Sequence, residues 1–332
     1  KLCTMMNKLV SILFAIILIS CTDVDDLVNS STQNPVDVYI AGVKTNNAAY
    51  WKNNQSYLLT GGDGGEATKI CVSNNNVNVL GKKTLDNWRT EYLYWENRNL
   101  TNLNTSFNTP AQHLHSITDM EIVGNDVYFV GYTKNPLIAA EIYELAYWKN
   151  GVKTVLDNNI NNITFQAKIK VVNNTVYVIG YTSNCFNSCH GIYVNNVFQS
   201  VSVGDLLKDI TEKDNQVYVY GTNTTTNTGF YKNIGTGAET TLTTIPSVDK
   251  LIFDNNNIYL ADGVNIFKNN TQIYSSRFFS FYIDFIALNN NVYILKREGD
   301  FGTFDALYVN DVNVFQIFVD QGKFNALTVV QN

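Results

Sequence analysis

NNTVYVIGYT (residues 173–182) decides the fold, because near copies of it return along the chain. GNDVYFVGYT (124–133), DNQVYVYGTN (214–223), NNNIYLADG (255–263) and NNNVYILK (289–296) repeat it, and NNNVNVLGK (74–82) and VDVYIAG (36–42) are weaker versions. Its alternating β-branched and aromatic residues read as a strand. The Asn pairs ahead of it read as a tight hairpin turn. A second motif follows each copy: AAYWKNN (48–54), EYLYWENR (91–98), LAYWKNG (145–151), GIYVNN (191–196), GFYKNI (229–234), NIFKNN (265–270) and ALYVND (306–311). A third apolar stretch precedes most copies, as in DMEIVGN (119–125) and KIKVVNN (168–174). A looser fourth, such as VKTVLDN (152–158), comes after the second motif.

Four short strands per repeat, at a period of roughly 35 to 50 residues, predict a β-propeller. The expected fold is all-β, with seven blades. The repeats begin at a second strand, VDVYIAG (36–42), and end at a first strand, NALTVVQN (325–332). The C-terminal strand is therefore expected to pair with the N-terminal blade and close the ring, which removes the open edge. The propeller is assigned to residues 35–332.

The chain has 332 residues, 45% hydrophobic and only 16% charged, with a net charge of −6. No Lys/Arg-rich stripe is present, which argues against a nucleic-acid partner. With 4 prolines, the turns fall to Asn, Asp and Gly, which tolerate positive φ.

The N-terminus reads as an export signal over 1–20, with Met5 or Met6 as the start. Lys8 precedes the apolar run LVSILFAIILIS (9–20), which is short for a membrane span. Leu18-Ile19-Ser20-Cys21 resembles the lipobox of bacterial lipoproteins. By that resemblance Cys21 carries acyl chains and anchors the protein in a membrane. An acidic, polar tether follows over 21–34, beginning TDVDD (22–26), and resembles the surface-export signal of Bacteroidota lipoproteins. With the VYV-x-G and YWKNG repeats, the chain resembles the lipid-anchored propellers of Bacteroidota. That resemblance implies an outer-membrane location, with cell-surface exposure as the further expectation, and little chemistry.

Nine residues before the Tyr of each VYV phrase, or before Asn78 where blade two replaces that Tyr, stand Lys69, Asp119, Lys168, Asp209, Lys250 and Asp284, with Ala326 in the C-terminal strand. The signs alternate, and one neutral member is what a seven-membered ring needs. This pattern predicts a ring of ion pairs on the innermost strands that fixes blade order. An ion or anionic ligand in the channel is the alternative.

Turns one-to-two and three-to-four are short and share one face. Longer insertions share the other face, where binding residues usually sit. The candidate contacts there are Trp88, Arg89, His113, His115, Tyr132, Tyr181, Arg297 and Phe301. Cys185 and Cys189, in CFNSCH (185–190), are expected to form a disulfide; a Cys-Cys-His metal site lacks another ligand nearby. His113 and His115 could share one strand side, again without a third ligand. GGDGGEA (61–67) reads as a flexible connection between blades. Asp63, Glu298 and Asp300 are acids that a glycosidase could use if two faced one cleft. No G-x-S-x-G, Walker or H-E-x-x-H motif is present, and no cofactor or metal is called for. The expected role is binding, to a protein or a glycan through the long-loop face. A glycan hydrolase or lyase on that face, or a structural subunit of an envelope complex, are the alternatives.

Overall fold

The computed structural model describes residues 35–86, 89–135, 137–138, 140–161, 166–182, 190–201, 205–276, 281–299 and 303–332. Residues 1–34, which hold the expected export signal, Cys21 and the expected tether, lie outside these, as do Trp88, Cys185, Cys189, Asp300 and Phe301. The compact unit Asp37–Val330 holds the propeller.

Seven four-stranded antiparallel sheets form the blades. Blade 1 contains β1 (Val36–Lys44), β2 (Asn47–Lys52) and β3 (Gln55–Asp63). Blade 2 contains β4 (Gly65–Ser73), β5 (Asn76–Thr84), β6 (Thr90–Glu96) and β7 (Asn99–Asn102). Blade 3 contains β8 (His113–Val123), β9 (Asp126–Lys134), β10 (Tyr143–Lys149) and β11 (Val152–Ile160). Blade 4 contains β12 (Lys168–Val172), β13 (Thr175–Tyr181), β14 (His190–Val194) and β15 (Val197–Ser200). Blade 5 contains β16 (Asp205–Lys213), β17 (Gln216–Asn223), β18 (Thr228–Asn233) and β19 (Glu239–Leu242). Blade 6 contains β20 (Lys250–Asp254), β21 (Asn257–Ala261), β22 (Asn265–Lys268) and β23 (Thr271–Ser275). Blade 7 contains β24 (Phe281–Leu288), β25 (Asn291–Glu298), β26 (Phe304–Val309) and β27 (Val312–Phe318). The last strand, β28 (Gly322–Gln331), pairs with β1 and becomes the inner strand of blade 1. The ring is thus closed by the C-terminal strand, as the repeat phase predicts. A single helical turn, α1 (Leu103–Phe107), links blades 2 and 3 and stacks Phe107 on Trp148 at 4.8 Å.

Each blade is apolar on both faces because each face packs on a neighbour. The core is therefore a set of layers between blades. Tyr39, Ala41 and Tyr50 of blade 1 meet Ile70, Val79 and Trp95 of blade 2, and the other junctions repeat the pattern.

The repeated Asn residues do more than turn the chain. Asn53–Asn54, Asn74–Asn75, Asn173–Asn174 and Asn195–Asn196 all have φ between 46° and 71°, as type I′ hairpins require. The first Asn of the three-to-four turn also aims its side-chain oxygen at the strand-two Val or Ile. Val38, Val77, Val127, Ile258 and Val292 donate their N–H to Asn53, Asn97, Asn150, Asn269 and Asn310 at 2.8–2.9 Å. The same amides donate to the residue just before it, as in Asn53 to Asp37 at 2.7 Å and Asn97 to Asn76 at 2.8 Å. One side chain thereby ties strand two to the next hairpin, which is why the phrases D/N-V-Y and K-N-N travel together.

The motif glycine has a different cause. A Cβ on Gly42, Gly131 or Gly221 would lie 1.9–2.0 Å from a carbonyl oxygen of the adjacent inner strand. In β4, β8, β16 and β24 that inner strand carries a bulge immediately before the ring residue, which re-aims the following side chain.

Candidate functional site

The inner strands bring the charged residues of the sequence pattern together in pairs. Lys69 meets Asp119, Lys250 meets Asp284, and Lys168 stands 3.9 Å from Asp209. Asp119 also accepts the Ile169 N–H of the next blade at 3.1 Å, and Asp284 the Leu327 N–H at 2.9 Å. Each of these two carboxylates thus joins the lysine of the blade before to the backbone of the blade after. Burial alone would raise the Asp119 pKa, but Lys69, Lys168 and the Ile169 N–H outweigh it and hold the carboxyl below the usual range. Asp209 goes the other way: burial raises it, and the more distant Lys168 does not compensate. Cys71 lies two residues beyond Lys69 in β4, and burial pushes its thiol up to about 11. Among the described residues, no group of three metal-ligating side chains is gathered anywhere.

The two faces differ as the sequence predicts. One is a uniform set of two-residue hairpins, with blade 5 departing at Ile234–Ala238. The other has connections of unequal length. Blade 1 has the shortest there, the turn Thr45–Asn46 and the single residue Gly64 at φ 68°. GGDGGEA is therefore strand, tight turn and strand, and not a flexible connection. Blades 7 and 2, next to blade 1 in the ring, have longer connections there, 299–303 and 85–89, and the strip over the short connections of blade 1 forms a trough.

Two open clefts, each about 230 Å³, occupy that trough. The first lies between blades 7 and 1, against Arg297, Val319, Asp320, Thr45, Asn46 and Lys323. The second lies between blades 1 and 2, against Gly64, Gly65, Glu66, Lys82, Thr84 and Lys323. Val43, Asn46 and Lys323 belong to both.

The charged groups of the trough are held in place. Arg297 donates from Nε and Nη2 to the two oxygens of Asp305, at 2.6 and 2.8 Å. Asp305 is fully buried and also accepts the Phe324 N–H of β28 at 2.7 Å, so the guanidinium is fixed against the closing strand. It lies 5.7 Å from the ring of Phe281, which is 46% exposed. Glu66 receives Lys323 and, at 3.3 Å, Lys82. Burial pushes the Glu66 pKa up, yet the two lysines together hold it below the usual carboxylate range.

The sequence candidates do not converge on one spot. Arg297 lines the trough. Arg89 is exposed at the end of the 85–89 connection, just beyond Thr84. His113 and His115 are exposed at the start of β8 in blade 3, with His115 4.7 Å from the Tyr143 ring. Partial desolvation of its ring lowers the His115 pKa. Tyr181 is half-buried in blade 4 beside His190, at 5.2 Å. Tyr132 is 1% exposed in the layer between blades 3 and 4, so it is a core residue and not a surface contact. His190, of the CFNSCH segment, is buried and accepts the Leu207 N–H at Nδ1, 3.0 Å away; burial lowers its pKa to about 4. Glu298 accepts the Tyr308 hydroxyl, and Asp63 is exposed. Asn46, Glu66, Lys82 and Lys323 were not singled out by motif; the signal for them is the brevity of the connections of blade 1.

No family model matches the chain, and none of the curated proteins does. Among solved structures, it is similar to a Bacteroides uniformis ATCC 8492 protein provisionally described as a 6-phosphogluconolactonase. The identity is 11% and the TM-score 0.51, over 90% of this chain and 100% of that one. It is also similar to the acylaminoacyl peptidase of Pyrococcus horikoshii, at 9% identity and a TM-score of 0.51, over 89% of this chain. This chain spans 51% of that peptidase's length. At such identities the likeness shows the fold alone.

Proposed function

We propose that the protein is an exported, lipid-anchored binding module that holds a glycan in the trough over blade 1. The observation that carries this reading is the pair of adjoining clefts, lined by charged and amide side chains, on the one face whose loops vary. Fixed donors and acceptors beside an exposed aromatic ring suit a ligand with hydroxyl edges and an apolar face. Glu66, which its lysine partners keep ionised, does not fit the general-acid role of a glycosidase, which needs a raised pKa. The resemblance of residues 18–21 to a lipobox supports anchoring through Cys21 at the outer membrane.

A glycan array probed with the whole chain in detergent tests the ligand. Arg297→Lys keeps a cation against the buried Asp305 and removes the free guanidinium N–H groups; it should weaken glycan binding at least several-fold while the chain stays folded. Binding unchanged by Arg297→Lys removes the trough as the site, and no binding alongside recovery of a specific membrane protein supports the protein-partner reading instead. Anchoring is tested separately: Cys21→Ser should abolish lipid labelling and release the chain from membranes.

A further inference from the structure

We infer that the ligand is a neutral, linked chain of at least two sugar units that spans both clefts, with its linkage over Asn46 and Lys323. This rests on the glycan reading above. Three features lead to it.

The first is charge. Arg297, Lys82 and Lys323 face Asp305, Glu66 and Asp320 in and behind the trough. Three positive and three negative groups cancel, and Arg297 and Glu66 are already paired. A polyanionic chain would find no uncompensated positive field, and each acid it carried would be set against Glu66 or Asp320.

The second is size. At about 230 Å³, each cleft lies below the roughly 300 Å³ at which pockets for drug-sized ligands begin. One sugar ring suits each, and an oligosaccharide does not fit within either.

The third is continuity. The clefts adjoin, since Val43, Asn46 and Lys323 line both. Asn46 stands at the turn of blade 1 with φ 61° and lines both clefts. Arg297 uses two of its five N–H groups on Asp305, which leaves three for ligand hydroxyls in the first cleft. Two modest sites joined by one linkage gain affinity because the second contact becomes intramolecular.

Calorimetric titration of the whole chain tests this. The probes are neutral gluco-, manno- and xylo-oligosaccharides of one to four units, with oligogalacturonates as acidic counterparts. In the series that binds, affinity should rise by about tenfold or more from one unit to two, then level off. Asn46→Gly keeps the positive φ of the turn and removes the amide. It should erase most of that step. Lys323→Met is the second variant and should act the same way. A single unit binding as tightly as two, or an acidic chain binding more tightly than its neutral counterpart, overturns this inference and leaves the glycan reading standing. No binding by any sugar removes both.

Discussion

At the residue scale, the side chains that recur most visibly act through the backbone. Asn97 accepts the Val77 N–H and donates to Asn76 while holding φ at 48°. Asn97→Gly should keep the turn and lose those bonds, costing about 1 kcal/mol in urea unfolding. Asn97→Ala should cost more, since alanine resists that φ. The turn role of Asn was legible in the sequence, because type I′ hairpins select it. The bond back to strand two was not, because it joins residues about twenty apart whose proximity exists only once the blade forms. Two acids of the same ring should also part company. Asp119 is 2% exposed, ionised and doubly held, so Asp119→Asn should cost about 3 kcal/mol, mostly from stranding Lys69. Asp209→Asn should cost clearly less, since burial already disfavours that carboxylate. The pH dependences are opposite in sign. The Asp119 contribution is present above the ordinary carboxylate range and is lost as pH falls through its lowered pKa. The Asp209 contribution is present at low pH and is lost as pH rises through its raised one. His190 binds its proton only near pH 4, against an ordinary 6.5. The unfolded chain therefore takes a proton that the fold refuses, and stability should fall by roughly 3 kcal/mol as pH drops from 6.5 to 4. His190→Gln should flatten that part of a melting-temperature profile; an unchanged slope would refute the assignment.

At the scale of elements, one device repeats: a bulged inner strand against a glycine in strand two. The bulge turns the ring residue toward its neighbouring blade, and the glycine makes room for the bulge carbonyl. Gly131→Ala should therefore destabilise by several kcal/mol, since its Cβ would sit 1.9 Å from the Ser116 oxygen. Blade 7 departs from the rule: β24 keeps the bulge although its strand two has no glycine at the motif position. Lys296 takes the motif position, is 3% exposed, and runs between the rings of Tyr274 and Tyr308, 4.1 and 3.7 Å from its ammonium, to Asp311 at 3.3 Å. Lys296→Ala should leave a cavity between blades 6 and 7, and Lys296→Met should restore part of the loss through packing. Strand identity and hairpin order were readable because period-two patterning survives in every repeat. The bulges were not, since one extra residue leaves no mark on composition. The same blindness explains Tyr132: its motif predicted the end of a strand near a loop, and the twist of blade 3 places it under blade 4 instead.

At the scale of the whole molecule, closure and function meet in blade 1. The closing strand supplies Lys323 to the trough, and its Phe324 N–H fixes Asp305 and hence Arg297. The short connections of the same blade, Thr45–Asn46 and Gly64, line the trough. A ring that opened at this seam would lose the binding groups first. The seam was legible because the repeats start and stop out of phase; the trough was legible only as unequal loop lengths, whose consequence needs the blades set side by side. The most direct measurement is native-state hydrogen exchange of the β1 and β28 amides. Closure predicts that β28 exchanges with β1 at the rate of global unfolding, with Thr45 protected by its bond to the Gln321 carbonyl. Exchange of β28 amides orders of magnitude faster than those of the blade 3 and blade 4 strands would contradict it.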